Sequence, residues 1–216
     1  PGAVEPLQSA LKYFEEDFGV VDIESQQTAE DFPLPGKIES IEKALIMGVR
    51  NYFRKLGLEK AILGLSGGID SAVTAFIASE ALGKNNVYGV LLPSQFSSDH
   101  SVSDAEQLAR NLGISYDTIA IKDIYDSFEE ALQPFFKEMP FNIAEENIQA
   151  RARGVVLMAL SNKFGHILLN TSNKSEAAVG YGTLYGDMNG GLSVLGDVYK
   201  TDVFALAKHI NRFKEI

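Results

Sequence analysis

The chain contains no cysteine, which excludes disulfides, cysteine-bearing metal sites and a thiolate nucleophile. Long hydrophobic runs are missing as well. The most apolar stretches, such as residues 154–160, fall far short of the roughly 20 residues that a spanning helix needs, so no membrane association is expected. The first residues are acidic and lack the charged-then-apolar order of a secretory signal; the expected location is the cytoplasm. No internal repeat and no low-complexity tract interrupts the sequence. Basic excess is absent too: 29 acidic against 19 basic side chains leave a net charge of −10, which argues against a nucleic-acid partner, since such binding rests on a Lys/Arg surface.

What is present suits one soluble α/β domain, with or without an appendage. The 216 residues are 45% hydrophobic and 22% charged, ordinary values for a globular chain long enough to bury a sizeable core. The acidity is uneven. Residues 1–36 hold eight acidic side chains and one lysine, whereas 37–216 hold 21 acidic and 18 basic. Residues 1–36 therefore read as an acidic leader, with a short helical pattern (Leu7, Leu11, Phe14), an apolar stretch at 20–23, and a linker closing on Phe32-Pro33-Leu34-Pro35-Gly36. Residues 37–216 form the folded unit.

From Ile38 the apolar positions Ile41, Leu45, Val49, Tyr52 and Leu56 mark an amphipathic helix that stops at Gly57. A regular alternation follows. Strands are expected at 61–65, 87–92, 115–121 and 167–170; helices are expected at 71–82, 101–112, 124–136, 143–164 and from Lys200 to about Asn211. Strands separated by helices of this length require crossovers, so the sheet should be parallel with helices on both faces. Ligands of such sheets bind beyond the carboxyl ends of the strands.

The sharpest motif is Gly64-Leu65-Ser66-Gly67-Gly68-Ile69-Asp70-Ser71, joining the first strand to its helix. Adjacent glycines allow a tight turn that presents N–H groups to phosphate oxygens. Ser66 and Ser71 add hydroxyls, and the helix start adds a favourable dipole. A carboxylate at Asp70 would repel a bare phosphate, so it points to Mg²⁺. A Walker loop is excluded, because the Gly-Lys-Ser/Thr ending is missing. The bland alternative is a turn in which Asp70 merely caps the helix.

Three further segments are candidates, each with an ordinary structural reading beside it. In 145–153, Asn147 and Arg151 stand four apart and share a helix face, which could equally be a solvated face. In 169–176, at the end of the fourth strand, Thr171 offers a hydroxyl, Lys174 a charge for phosphate and Glu176 a hard oxygen for Mg²⁺, although a polar strand-to-loop transition needs no ligand. In 180–191, five glycines surround Tyr181 and Tyr185, as in a mobile loop or a surface for close backbone contact. Lys200 begins the last helix, where a cation is disfavoured unless an anion is near.

The Ser-Gly-Gly-Ile-Asp-Ser string resembles the PP-loop of the ATP-pyrophosphatase superfamily. Leu92-Pro93-Ser94 with Ser97-Ser98, Glu-Asn-Ile-Gln-Ala-Arg-Ala-Arg, Asn-Lys-Ser-Glu and Thr-Leu-Tyr-Gly-Asp-Met extend the likeness to the NAD synthetase family over about residues 44–207. The wording is closer to the glutamine-dependent, two-domain branch. The resemblance implies an adenine-nucleotide alpha-hydrolase-like fold and an enzyme of NAD biosynthesis that adenylates deamido-NAD with ATP and amidates it with ammonia, releasing AMP and pyrophosphate. It implies that Gly64, Leu65, Ser66, Gly67, Gly68, Ile69, Asp70 and Ser71 hold ATP phosphates with Thr171 and Lys200. It also implies that Asp70 and Glu176 bind Mg²⁺, with Asp70, Glu176 and Lys200 as the catalytic set. Asn147, Arg151, Glu176, Tyr181, Gly182, Thr183 and Leu184 would face deamido-NAD. The ammonia-only branch has lysine where this chain has Leu184, so that basic contact does not transfer. The family further implies a homo-oligomer, an N-terminal glutaminase domain in a larger parent protein, and helical sequence beyond residue 216. Two other readings stay open here: another PP-loop amidotransferase or tRNA-modifying enzyme, and a non-enzymatic adenine-nucleotide-binding module.

Overall fold

A computed structural model describes residues 11–20, 35–95 and 97–216. In chain order the strands are β1 (Ala61–Leu65), β2 (Val87–Leu91), β3 (Ser115–Thr118), β4 (Ile167–Asn170) and β5 (Leu192–Ser193). The helices are α1 (Lys37–Leu56), α2 (Ile69–Leu82), α3 (Asp99–Leu112), α4 (Lys122–Phe136), α5 (Ile143–Phe164), α6 (Lys174–Val179) and α7 (Lys200–Ile210).

The apolar run of β1 suits a strand covered on both faces, and its side chains alternate between two cores. Ala61, Leu63 and Leu65 join Val49 and Phe53 of α1, Phe76 of α2, Leu108 of α3 and Leu206 of α7. Ile62 faces the other way, with Val90 and Leu168, under Leu157 and Leu160 of α5; α4 packs against α5. All strand pairs are parallel and the order is β3-β2-β1-β4-β5. The parallel sheet with helices on both faces thus follows from the alternation in the sequence. The chain leaves β1 towards β2 and β3, then crosses to β4 and β5. The order reverses between β1 and β4, and such a switch point opens a crevice at the carboxyl ends of those two strands.

Helix stops are where glycine puts them. Gly57, Gly113 and Gly165 each adopt a left-handed backbone that closes α1, α3 and α5. Differences from expectation lie at element starts and in short elements. α2, α3 and α4 each begin two residues early. Strand β2 ends at Leu91 and β3 at Thr118, although the N–H groups of Ile119 and Ile121 still bond to the carbonyls of Leu91 and Pro93. α6 and β5 span too few residues to show a period. Residues 11–20 hold no helix. The expectations for Leu7, for 21–23 and for most of the Pro-rich linker lie outside the described residues.

His166, at the amino-terminal end of β4, is far from the crevice. Its ring lies 6.0 Å from both Tyr88 and Phe164, and its buried Nδ1 has no hydrogen-bond partner among the described residues. Burial, reinforced by Lys60, lowers its pKa from the usual 6.5. A depressed histidine pKa gives stability that is present above the unfolded value and is lost as pH falls through the folded one. Urea midpoints should therefore drop as pH falls from 7 to 5, and His166→Gln should flatten that slope. An unchanged slope would remove His166 as its source.

Candidate active site

The loop leaving β1 is built by its own serines. Ser66 N–H donates to Ser71 Oγ at 3.3 Å, Gly68 N–H donates to Ser66 Oγ at 3.2 Å, and Ser71 Oγ donates to the Gly68 carbonyl at 2.9 Å. Gly68 is the N-cap of α2 and provides no side-chain cap. Among the described residues, the N–H groups of Gly67, Ile69, Asp70 and Ser71 find no protein acceptor. They are orphan donors at the positive end of a helix dipole. Gly67 is dictated twice: its φ is +74°, and a Cβ there would lie 2.3 Å from the Ser101 carbonyl oxygen at the start of α3.

Asp70 is not the cap that the bland reading offers. It lies inside the first turn, and its carboxylate reaches across the switch point. Asn173 Nδ2 donates to Asp70 Oδ1 at 2.9 Å, and Lys200 Nζ forms a short ion pair with Asp70 Oδ2. The anion that a lysine at the start of α7 calls for is therefore Asp70. The loop after β4 is set by a capping box on α6: Asn173 Oδ1 accepts from Glu176 N–H at 3.1 Å, and Glu176 Oε2 accepts from Asn173 N–H at 3.1 Å. Lys174, offered by the sequence to phosphate, instead pairs with Asp197 and lies over Tyr199; it does not line the cleft.

These loops flank a cleft of about 440 Å³. Ser66, Asp70 and Ser71 form one side; Thr171, Ser172, Glu176 and Tyr181 form the second; Leu91, Leu92, Pro93, Ser97 and Ser101 form the third. Gly64 lines an adjoining cavity of about 200 Å³ that shares Leu65, Ser66 and Thr171 with it. Gly67, Gly68 and Ile69 line a neighbouring cavity beside α3 and α7 and are not in the wall of the cleft. Lys200 touches the site through Asp70.

Asn147, Arg151, Thr183 and Leu184 are also brought together, but beside the cleft rather than in its wall. Thr183 Oγ1 donates to Asn147 Oδ1 at 2.8 Å, and Arg151 Nε donates to the Leu184 carbonyl at 3.2 Å. The turn that follows sits on α5 where side chains are smallest. A Cβ on Gly154 would lie 2.5 Å from Asn189 Nδ2, and one on Gly186 would lie 3.0 Å from Ala150 Cβ. Gly182 lies against Met188 in the same turn. Tyr181 and Asp187 carry this cluster into the cleft.

Arg153 was not among the candidates. Its Nε donates to the Leu92 carbonyl at 3.1 Å and its Nη2 to Ser94 Oγ at 3.3 Å. It lines both cavities, has no carboxylate partner among the described residues, and has its pKa lowered by burial alone. An uncompensated half-buried cation is costly until an anion arrives. Two residues along a helix turn about 200°, so Arg151 and Arg153 point to opposite sides. A signal existed: Arg153 shares the i, i+4, i+7 stripe with the sheet-facing Leu157 and Leu160.

The strand order, with a Ser-Gly-Gly-Ile-Asp-Ser turn at its switch point, is the fold of the PP-loop ATP-pyrophosphatase class. Within that class the chain belongs to the NAD synthase family, whose model matches residues 41–216. It is 58% identical over 178 residues to the glutamine-dependent NAD(+) synthetase of Synechocystis, covering 82% of this chain and 32% of that protein. It is 55% identical over 186 residues to the corresponding enzyme of Thermotoga maritima, covering 85% and 32%. The chain thus spans about a third of the length of these curated relatives. Among solved structures, the glutamine-dependent NAD+ synthetase of Acinetobacter baumannii, in complex with ADP, matches with a TM-score of 0.84 and 49% identity over 86% of this chain and 35% of that one. The NH3-dependent NAD synthetase of Campylobacter jejuni matches with a TM-score of 0.74 and 33% identity, covering 82% and 75%.

Two substitutions test the geometry. Gly67→Ala should destabilise the fold by at least about 1–3 kcal/mol, the cost of a strained backbone alone; an unchanged melting temperature would contradict the close approach of α3. Arg153→Met should weaken binding of inorganic pyrophosphate, measured by calorimetry, by about tenfold or more, as loss of a charge-assisted bond does, and Arg153→Lys should lose less. Equal affinities in all three proteins would show that Arg153 does not face the anion.

Proposed function

We infer that this chain carries the synthetase activity of a glutamine-dependent NAD synthetase: ATP-dependent conversion of deamido-NAD to NAD. The observation that carries this reading is the convergence at one switch point of the orphan N–H groups of α2, the carboxylates of Asp70 and Glu176, and the cations Lys200 and Arg153. Family membership supports it.

ATP phosphates would lie on the 66–71 turn, accepting from its N–H groups and from the Ser66 and Ser71 hydroxyls, with Thr171 opposite. The two carboxylates fit a divalent cation. Both offer hard oxygens to one cleft; Mg²⁺ takes one or two carboxylates and completes its shell with phosphate and water. Asp70 and Glu176 would hold it, and when bound it supplies positive charge to the phosphate oxygens.

The nicotinate carboxylate of deamido-NAD attacks the α-phosphorus, and the bond from that phosphorus to the bridging oxygen breaks, releasing pyrophosphate. Ammonia then attacks the acyl carbon, loses a proton, and AMP departs with the former carboxylate oxygen. No protein nucleophile is required. The residues position the reactants and stabilise charge on the phosphates, with Lys200 and Arg153 as fixed cations. Asn147, Arg151 and the 181–184 turn would receive the dinucleotide beside the ATP cleft. Because the chain has no cysteine, the amine it takes is free ammonia, supplied in the parent protein by a glutaminase domain.

Pyrophosphate release from ATP should depend on deamido-NAD and ammonia. Asp70→Asn and Glu176→Gln should each lower it by about a hundredfold or more, the scale of removing a preorganised charge stabiliser, while leaving the circular dichroism spectrum unchanged. Release that is independent of deamido-NAD, or full turnover in both variants, would refute the reading.

A further inference from the structure

Asn173 is the most thoroughly buried polar residue of the site, with 0% exposure. It caps α6, and a capping box needs only a side-chain oxygen. Ser, Thr and Asp serve about as well. Asp has no donor to offer a carboxylate, and the single hydroxyl donor of Ser or Thr sits one bond nearer the backbone than an amide nitrogen. Asn173 has the amide, and its Nδ2 donates to Asp70 Oδ1 at 2.9 Å, 103 positions away in sequence. The same residue fixes Glu176 twice, by accepting from its N–H and by donating its own N–H to Oε2 at 3.1 Å. Each carboxylate therefore has one oxygen held by Asn173. The remaining oxygen of Asp70 is paired with Lys200, and Glu176 Oε1 takes no protein donor among the described residues.

We propose that Asn173 is the positioning residue of the cation site, a single buried residue that holds one oxygen of Asp70 by its side-chain amide and one of Glu176 by its backbone N–H, and so sets Asp70 Oδ2, paired here with Lys200, and Glu176 Oε1 towards the same ion. Aspartate at this position would set a carboxylate against a carboxylate, and serine or threonine would replace the amide on Asp70 Oδ1 with a shorter hydroxyl. The proposal rests on the assignment of Asp70 and Glu176 as cation ligands, and goes beyond it by naming what aligns them. Groups that orient metal ligands without touching the metal commonly contribute 10- to 100-fold in affinity.

The test is Mn²⁺ binding to the whole 216-residue chain in the presence of ADP, followed by electron paramagnetic resonance, with metal-free ADP affinity measured in parallel. Asn173→Ser keeps the cap oxygen and removes the amide. It should weaken Mn²⁺ by about 10-fold or more, broaden the bound-metal spectrum, and leave metal-free ADP affinity within about twofold. Should it fold poorly, Asn173→Gly, which helices also accept at this position, makes the same comparison. Mn²⁺ affinity within about twofold of the parent chain in a folded variant overturns the proposal alone. Collapse of both variants overturns it too, because Asn173 would then hold the fold rather than the site. A parent chain whose Mn²⁺ binding is absent, or is indifferent to Asp70→Asn, overturns the ligand assignment itself, and the proposal with it.

Discussion

Three distant stretches of chain meet on the carboxylate of Asp70. It comes from the first turn of α2, receives the amide of Asn173 from the loop after β4, and receives the ammonium of Lys200 from the start of α7. Its side chain is 18% exposed and that of Lys200 is 36% exposed. That places the pair between an exposed ion pair, worth about 0.2–1 kcal/mol, and a buried one, which costs about 3–5 kcal/mol to break on one side. The other segments of the cleft are arranged around this node. Strand pairing sets the ends of β1 and β4 side by side, and this node ties the loops that follow them to each other and to α7.

The node forms because the strand order makes those loops neighbours. A parallel sheet that winds one way from β1 and then the other way brings the ends of β1 and β4 side by side, and the glycines of the 66–68 turn let α3 approach its backbone closely enough to exclude any side chain at Gly67. Fold and site are thus one constraint. The same glycine that adopts the left-handed backbone of the turn also admits α3, whose Ser101 and Val102 wall the cleft.

Charge completes the design. Outside the acidic leader the chain is nearly neutral, so an anionic ligand is drawn by a local arrangement rather than by the overall field. Arg153 supplies positive charge on the sheet-facing side of α5 with only carbonyl and hydroxyl partners, and the uncapped start of α2 supplies more. The carboxylates of Asp70 and Glu176 would repel the same ligand if they stood alone. Asp70 does not stand alone, because Lys200 pairs with it.

The sequence was sufficient for whatever depends on near neighbours. The apolar runs marked β1, β2 and β4, glycines marked the ends of α1, α3 and α5, and Ser-Gly-Gly-Ile-Asp-Ser marked the turn, because backbone conformation and amphipathic period are local properties. Thr171 follows β4 directly, Glu176 lies in α6 and Tyr181 follows that helix, and all three candidates line the cleft. Short elements such as α6 and β5 carry no period and were not visible. Tertiary structure alone decided that Lys174 turns to Asp197, that Arg153 rather than Arg151 enters the cleft, and that Asn173 and Lys200 divide the oxygens of Asp70. Those partners are 23 to 130 positions apart, and which side chains meet at such separations is set by strand order and helix rotation, neither of which any single segment encodes.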